Sequence, residues 1–203
     1  MLETICDIFK EAYQRNWITA RDGNASIGWS DRDHFFVTPS GVRKQTLLPE
    51  MFKKIKPITS NSYEVLEYTD ISQNLKPSGE LPMHLGLQKK INTEVRVVLH
   101  LHPTYTVAAM YKGIDLSSLC RQFPELSRYS NIGSTVPIIP PITQELADAC
   151  IKNIGVDEET GEVKYNIVGM HRHGVISVDT TPWRAFEHIE RLEHICKIIL
   201  AAT

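Results

Sequence analysis

Two histidine pairs lie far apart in the chain, each beside a run of aliphatic residues, and together they constrain the fold more than any other feature. The first is Val97-Val98-Leu99-His100-Leu101-His102-Pro103, the second Met170-His171-Arg172-His173-Gly174-Val175-Ile176. An unbroken β-branched and aliphatic run favours a buried strand. On such a strand His100 and His102 project from the same face. A fold that brings the second pair against the first gathers three imidazoles and leaves a fourth coordination position for water or substrate. A histidine pair at this spacing is equally at home on a strand edge or in a hydrogen-bonded core, so the residues around the motifs carry the decision.

With 203 residues, 42% of them hydrophobic and 23% charged, the chain has the composition of a soluble globular protein with a sizeable core. A formal net charge of -2 gives no electrostatic case for nucleic acid or an anionic membrane. Lys53-Lys54 and Lys89-Lys90 are isolated pairs that read as solvated helix faces. Cys6, Cys120, Cys150 and Cys196 form no C-x-x-C, and Cys6 and Cys196 fall in apolar helical patterns as small buried hydrophobes. No signal-peptide order opens the sequence and no apolar stretch is long enough to span a bilayer. A reducing cytoplasm is the expectation.

The periodicity predicts interleaved helices and strands. Helices are expected over residues 1–16, 81–91, from 104 to 111, over 144–154 and over 182–202, the last with Thr181 as N-cap and Pro182 in the first turn. A turn-rich stretch over 21–28 leads into a first strand, and further strands are expected over 34–38 after a turn at 30–33, around 63–67, over 95–101, over 165–170 and over 173–178. Residues 136–141, broken by prolines, read as an edge strand or loop. Residues 112–135 give no clear pattern. With no repeat, linker or composition break, residues 1–203 read as one α/β domain.

Glu80 follows Pro77-Ser78-Gly79, a loop that can approach a ligand, and precedes a helix. A carboxylate there can simply complement the helix dipole. It can also return, through one helix and a short turn, to the strand bearing His100 and His102. Beside a metal-bound hydroxy-ketone, a glutamate can move a proton while the metal stabilises an enediolate. Gly23-Asn24-Ala25-Ser26, Thr38-Pro39-Ser40-Gly41 and Ser78-Gly79 offer hydroxyl, amide and backbone N–H donors of the kind that form anion nests. Arg43 and Lys44, next to the second loop, add positive charge or are simply solvated.

In this order Gly23-Asn24-x-Ser26, Thr38-Pro39-Ser40-Gly41, Pro77-Ser78-x-Glu80 with His84, His100-x-His102-Pro103 and His173-Gly174 resemble the class II aldolase and adducin-head family. That family includes fuculose-phosphate and rhamnulose-phosphate aldolases, ribulose-phosphate 4-epimerase, methylthioribulose-phosphate dehydratase and oxo-tetronate-phosphate decarboxylases. The resemblance covers nearly the whole chain. It implies a three-layer α/β/α sandwich with a central mixed, mostly antiparallel sheet, and a divalent ion, most often zinc with manganese or cobalt as alternatives.

By motif position the ligands implied are His100, His102 and His173, with His171 a neighbour that a continuous strand would leave on the same face. Glu80 matches the acid/base. The phosphate of a ketose phosphate is implied to lie among Asn24, Ser26, Thr38, Ser40, Gly41, Ser78 and Gly79. The expected reaction is retro-aldol cleavage of a small hydroxy-ketone, with dehydration or decarboxylation of a related sugar or sugar-acid phosphate as alternatives. A homotetramer is implied as well.

The sequence ends at Thr203, after its last helix, without the tail tyrosine that some aldolases and the epimerase of this family use. The epimerase also has aspartate where this chain has Glu80. The first departure counts against the fuculose-phosphate aldolase and the epimerase, the second against the epimerase alone. Tyr129, Arg121 or Arg128 is expected to reach a neighbouring subunit's site. Two other classes compete: an adducin-like interaction module, which lacks the metal histidines, and a metal-dependent hydrolase, against which stands the absence of H-E-x-x-H.

Overall fold

The chain is described here by a computed structural model covering residues 1–59 and 62–202. Helix α1 (Leu2–Gln14) is followed by strands β1 (Asn24–Trp29), β2 (Phe35–Val37), β3 (Lys53–Pro57) and β4 (Tyr63–Leu66). Then come α2 (Asp70–Gln73), α3 (Leu81–Lys90), β5 (Val95–Leu101), α4 (Thr104–Tyr111) and α5 (Pro124–Tyr129). The chain closes with α6 (Gln144–Ile154), β6 (Ile167–Met170), β7 (Gly174–Asp179) and α7 (Pro182–Ala202). The seven strands form one sheet in the order β4-β3-β2-β1-β5-β7-β6.

Every strand pairing in that sheet is antiparallel. Its mixed character is confined to two isolated parallel bridges, Ile132 to Ile167 and Val136 to Met170. The second bridge is what becomes of the proline-broken stretch after residue 135. Prolines there leave too few N–H donors for a full strand.

Alternation along the strands sorts two cores onto the two faces. Ala25 and Ile27 of β1, with Val97, Leu99 and Leu101 of β5, pack against α1, α4 and α7 through residues such as Phe9, Ala109 and Phe186. Val98 of β5, with Ile176 and Val178 of β7, packs against Met83 and Leu87 of α3 and Leu146 and Cys150 of α6. Helices therefore cover both faces, giving the expected three layers. The polar residues Asn24, Ser26 and His100 share the α3 face.

Local chemistry sets the helix ends. The Thr143 hydroxyl accepts from Leu146 N at 3.2 Å to open α6, and Gly155 closes it in the left-handed region at φ +68°. Thr181 caps α7 through Arg184 N at 3.3 Å. Strand β3 was not expected, because Lys53-Lys54 reads as a solvated helix face. Lys53 is instead buried in that strand, with its Nζ donating to the Ser72 carbonyl. Residues 112–135 hold a 3-10 turn at Leu116–Arg121 and the six-residue α5, both too short to show a period. Cys6, Cys150 and Cys196 are buried and all four cysteines are free thiols. No helix among the described residues is long and apolar enough to cross a membrane.

Candidate metal and proton-transfer site

His100 is the penultimate residue of β5, and His102 lies one residue beyond that strand. The His102 N–H donates to the Trp17 carbonyl at 3.0 Å, which holds the chain extended past the strand end. His173 comes from the other side, at the tip of the β6–β7 hairpin, where Met170 pairs with Gly174 across a three-residue turn. Arg172 in that turn has φ +61°, so the alternation expected of a continuous strand is broken. His173 consequently faces β5. His171 instead lines a separate cavity with Ile114, Asp115 and Thr135. The glycine after His173 is required by close approach, since a Cβ on Gly174 would lie 2.4 Å from the Leu101 carbonyl oxygen.

The three imidazoles converge. Their ring centroids are 4.7, 4.9 and 5.2 Å apart, and one ring nitrogen from each lies within 4.8 Å of the others. His100 Nδ1 lies 2.9 Å from the Val175 carbonyl, an acceptor only, so that nitrogen carries the proton. The Nε2 lone pair is thereby turned to the cluster, the arrangement by which outer hydrogen bonds orient metal-ligating histidines. His100 Nε2 faces His102 Nε2 at 2.8 Å. Burial lowers the pKa of His102 to about 3 and lowers that of His173 as well. Neutral imidazoles with converging lone pairs are the donor set a divalent ion requires.

Glu80 stands at the mouth of α3 and makes no side-chain cap there. Its carboxylate reaches the cluster instead, 3.3 Å from His100 Nε2 and 3.5 Å from His173 Nε2. Burial opposes its ionisation, but His100, the Asn24 amide, His173 and His84 outweigh burial and bring its pKa down to about 2.

A polar chain supports Glu80 from behind. Asn24 Nδ2 donates to Glu80 Oε2 at 2.7 Å, and His84 Nε2 is 2.5 Å from Asn24 Oδ1. His84 Nδ1 is 2.8 Å from Ser26 Oγ, which also accepts from Gln88 Nε2 at 2.9 Å. Asn24 Oδ1 can only accept, so His84 donates from Nε2 and accepts at Nδ1 from the Ser26 hydroxyl. Burial holds His84 neutral by lowering its pKa to about 3. Each donor therefore points along the chain toward Glu80.

These groups open into a cavity of about 230 Å³. Its wall includes Asp22, Asn24, Ser40, Gly41, Lys44, Ser78 and Gly79, with Pro141 and, beside Gly79, Ile142. Larger clefts of about 480 Å³ beside Arg96 and about 520 Å³ beside Lys197 hold no such cluster. Chemistry, not size, singles out the smaller one.

A family model described as the Class II Aldolase and Adducin N-terminal domain matches residues 3–200. The chain belongs to that family. Among curated relatives of this class II aldolase-type enzyme, methylthioribulose-1-phosphate dehydratase of Komagataella phaffii is 24% identical over 97% of this chain and 80% of its own. Rhamnulose-1-phosphate aldolase of Bacteroides thetaiotaomicron is 28% identical over 62% of this chain and 48% of its own. Another dehydratase, from Lachancea thermotolerans, is matched over 37% of its length, so the alignments span less than half of some relatives. Among solved structures, YgbL of Escherichia coli superposes with a TM-score of 0.78 at 23% identity, over 100% of this chain and 89% of that one. A sugar-phosphate aldolase of Thermotoga maritima gives 0.77 at 20%, over 98% and 94%. At such identities the structural likeness speaks for the fold.

Class II aldolases are metal-dependent, and the His100, His102 and His173 set fits such an ion by its donor chemistry. The residues expected around a phosphate divide. Ser40, Gly41, Ser78 and Gly79 face the cavity. Ser26 and Thr38, expected among the phosphate-binding residues, do not line it. Both are fully buried, Ser26 between His84 and Gln88, and Thr38 with its hydroxyl accepting from Ala25 N at 3.1 Å. Asn24 reaches the cavity, but both ends of its amide are taken by Glu80 and His84. Tyr129, Arg121 and Arg128 lie off this wall, with the exposed Tyr129 ring stacked under Arg128 and Arg191. Sequence reasoning passed over Gln88 and the linkage it makes, although His84 and Gln88 at i, i+4 on α3 opposite Asn24 and Ser26 at i, i+2 on β1 are a legible signal.

Proposed function

We propose that this protein is a metal-dependent lyase of the class II aldolase type that cleaves a small ketose phosphate by a retro-aldol reaction. The observation carrying the reading is the Glu80 carboxylate lying 3.3 Å and 3.5 Å from two of three converging imidazoles inside a ligand-sized cavity. In this proposal His100, His102 and His173 hold one divalent ion, zinc by preference because three neutral nitrogens suit it best, with manganese or cobalt as substitutes. When bound, that ion supplies Lewis acidity toward the oxygens of a hydroxy-ketone.

The chain's own residues do the rest. Glu80 is the acid/base: its carboxylate takes the proton of the hydroxyl next to the carbon–carbon bond that breaks, that bond's electron pair passes to the enediolate as the carbonyl fragment departs, and Glu80 returns the proton to the enediolate carbon. Asn24 and His84 hold the carboxylate in place. Ser40, Gly41, Ser78 and Gly79 take the phosphate. The proposal includes a homotetramer and a reducing cytoplasmic location, the second supported by four free thiols.

A second reading, dehydration of a ketose phosphate, is favoured by the dehydratase relative that aligns over 97% of this chain. Both readings share proton transfer by Glu80 next to a polarised carbonyl. Zinc-loaded protein incubated with fuculose-, rhamnulose- and methylthioribulose-1-phosphates separates them. Two carbonyl fragments identify the aldolase, while a single product lighter by one water identifies the dehydratase. No turnover of any, with zinc bound, would count against both.

A further inference from the structure

The cavity of about 480 Å³ beside Arg96 opens between the start of β5 and the end of β7, away from the histidine cluster. Arg96 shares the α3 face of β5 with Val98 and His100, so it stands about 13 Å back along the strand from the first metal-site histidine. Ile91, Val163 and Val178 give the cavity an aliphatic side, and Asn92, Asn166 and Arg96 give it polar groups. An enclosed volume of this size with few polar groups suits a small organic ligand.

The charges on that wall are unevenly matched. Arg184 is committed, its Nε donating to Asp179 Oδ1 at 3.2 Å, while the other Asp179 oxygen lies 3.0 Å from His188 Nε2. Glu162 is exposed and makes no ion pair among the described residues. Arg96 is half-buried, and three of its five N–H groups have protein partners. Nε donates to Gln88 Oε1 at 3.4 Å, Nη1 to the Thr93 carbonyl at 3.3 Å and Nη2 to the Trp29 carbonyl at 2.8 Å. None of these is a carboxylate, so a guanidinium taken partly out of water keeps an uncompensated charge.

Arg96 also stands at the head of the polar chain that reaches Glu80. Glu80, His84 and Gln88 recur every four residues along α3, a rise of about 6 Å, and Asn24, Ser26 and Gly28 every two along β1, a rise of about 6.6 Å. The near match of these repeats lets helix and strand exchange hydrogen bonds along their length. Gly28 pairs with Arg96 in the β1–β5 register. A Cβ on Gly28 would collide with Gln88 Oε1 and lie 3.2 Å from Arg96 Nη2, so glycine is what lets Arg96 and Gln88 meet. Because Arg96 donates to Gln88 Oε1, the amide presents its Nε2 to Ser26, and this sets the direction of every later donor.

We infer that the Arg96 cavity binds a small organic carboxylate with an aliphatic body, and that its occupancy is felt at Glu80 through Gln88, Ser26, His84 and Asn24. The arginine fork matches a carboxylate, and the aliphatic side takes the body. With Glu162 at the rim, a single negative charge is accommodated better than a dianion. The bound carboxylate competes with Gln88 for the guanidinium, whose 3.4 Å contact is the longest of its three, and loosens the orientation passed on to Glu80. The binding site stands apart from the proposed reaction; only its effect on Glu80 rests on that reading.

The test titrates zinc-loaded full-length protein, freed of excess zinc, with sodium isovalerate and in parallel with its neutral counterpart isovaleramide. Calorimetry gives affinity, and NMR follows the Asn166 side-chain amide and the His84 imidazole, with zinc content measured on the same samples. Wild type is compared with Arg96→Lys, Arg96→Met and Asn166→Asp. The last keeps the oxygen that accepts from Asn131 N at 3.1 Å and adds a negative charge to the wall, so it decides the matter if Arg96→Met does not fold. Wild type is expected to bind isovalerate at least about tenfold tighter than isovaleramide. That affinity is largely kept in Arg96→Lys and falls at least about tenfold in Arg96→Met and Asn166→Asp at unchanged zinc content, the scale of one charge-assisted contact. The Asn166 and His84 resonances move together in wild type, and neither moves in Arg96→Met. Equal affinity in wild type, Arg96→Met and Asn166→Asp would overturn the inference, as would a wild type that binds no isovalerate, and would leave Arg96 a tie between the Trp29 and Thr93 carbonyls. Movement of Asn166 with His84 unmoved would overturn the link to Glu80. Failure of wild type to hold zinc would instead count against the proposed function.

Discussion

His84 Nε2 lies 2.5 Å from Asn24 Oδ1, and this contact decides which end of the Asn24 amide faces Glu80. With its oxygen engaged by His84, Asn24 has only its N–H groups to offer the carboxylate. Glu80 is held as an acceptor by a chain of donors that starts at Gln88, toward the C-terminal end of α3.

Ser26→Ala tests that chain. It leaves His84 Nδ1 without a donor and removes one acceptor from Gln88 in a fully buried place. The expected cost is about 1–3 kcal/mol of stability, read from urea unfolding, with kcat lowered and KM for a phosphorylated substrate unchanged. A raised KM would return Ser26 to the phosphate-binding set.

Glu80→Gln keeps the shape of the site and removes the base. Turnover is expected to fall by about 100-fold or more, while zinc content stays that of wild type. Undiminished turnover would sink the acid/base assignment.

Gly174→Ala places a methyl group 2.4 Å from the Leu101 carbonyl oxygen and 2.7 Å from His102 Cδ2. The hairpin must then move away from β5 and carry His173 with it. Elemental analysis is expected to show lost metal, with a stability loss of about 1–3 kcal/mol. Full metal content would mean that His173 is not needed as a ligand.

Lys44 gives a pH signature. Its pKa falls from 10.5 to about 8 on folding, so between these values the unfolded chain binds more protons than the folded one. Stability from this residue therefore rises with pH across that window. Below pH 8 both states are charged and the full burial penalty applies. The buried thiols Cys6, Cys150 and Cys196, raised to about 12, act oppositely above pH 9. The measurable quantity is thus the difference between wild type and Lys44→Met. The variant's stability advantage is expected to shrink from pH 8 to pH 10.5, and a constant difference would contradict the shift.

The order of the long helices and the strands around the histidines were legible because each rests on local pattern, whereas His173 and His171 are alike by local pattern and only the family resemblance distinguishes them. Strand β3 was not, because its Lys53-Lys54 pair carries the charge of a surface while Lys53 lies inside. The burial of Ser26 and Thr38 was not legible for a related reason. Ser and Thr in glycine-rich loops satisfy their own fold as readily as a ligand, and only tertiary contacts reveal which. The same contacts separate buried Lys44 from exposed Arg43, which sequence alone leaves equivalent.

The histidine cluster also closes a long loop. His102 and His173 are 71 positions apart (173 − 102), and only the pairing of β5 with β7 brings them together. Closing so long a segment carries an entropic cost that is met only when the sheet is complete. The cluster is therefore a late product of folding, and its assembly reports that the two halves of the chain have docked. The exposed turn at residues 157–160 lies inside that loop and outside the cavity. A backbone cut there would turn the cluster into a clasp between two fragments, and metal retention would then measure how tightly those fragments hold each other.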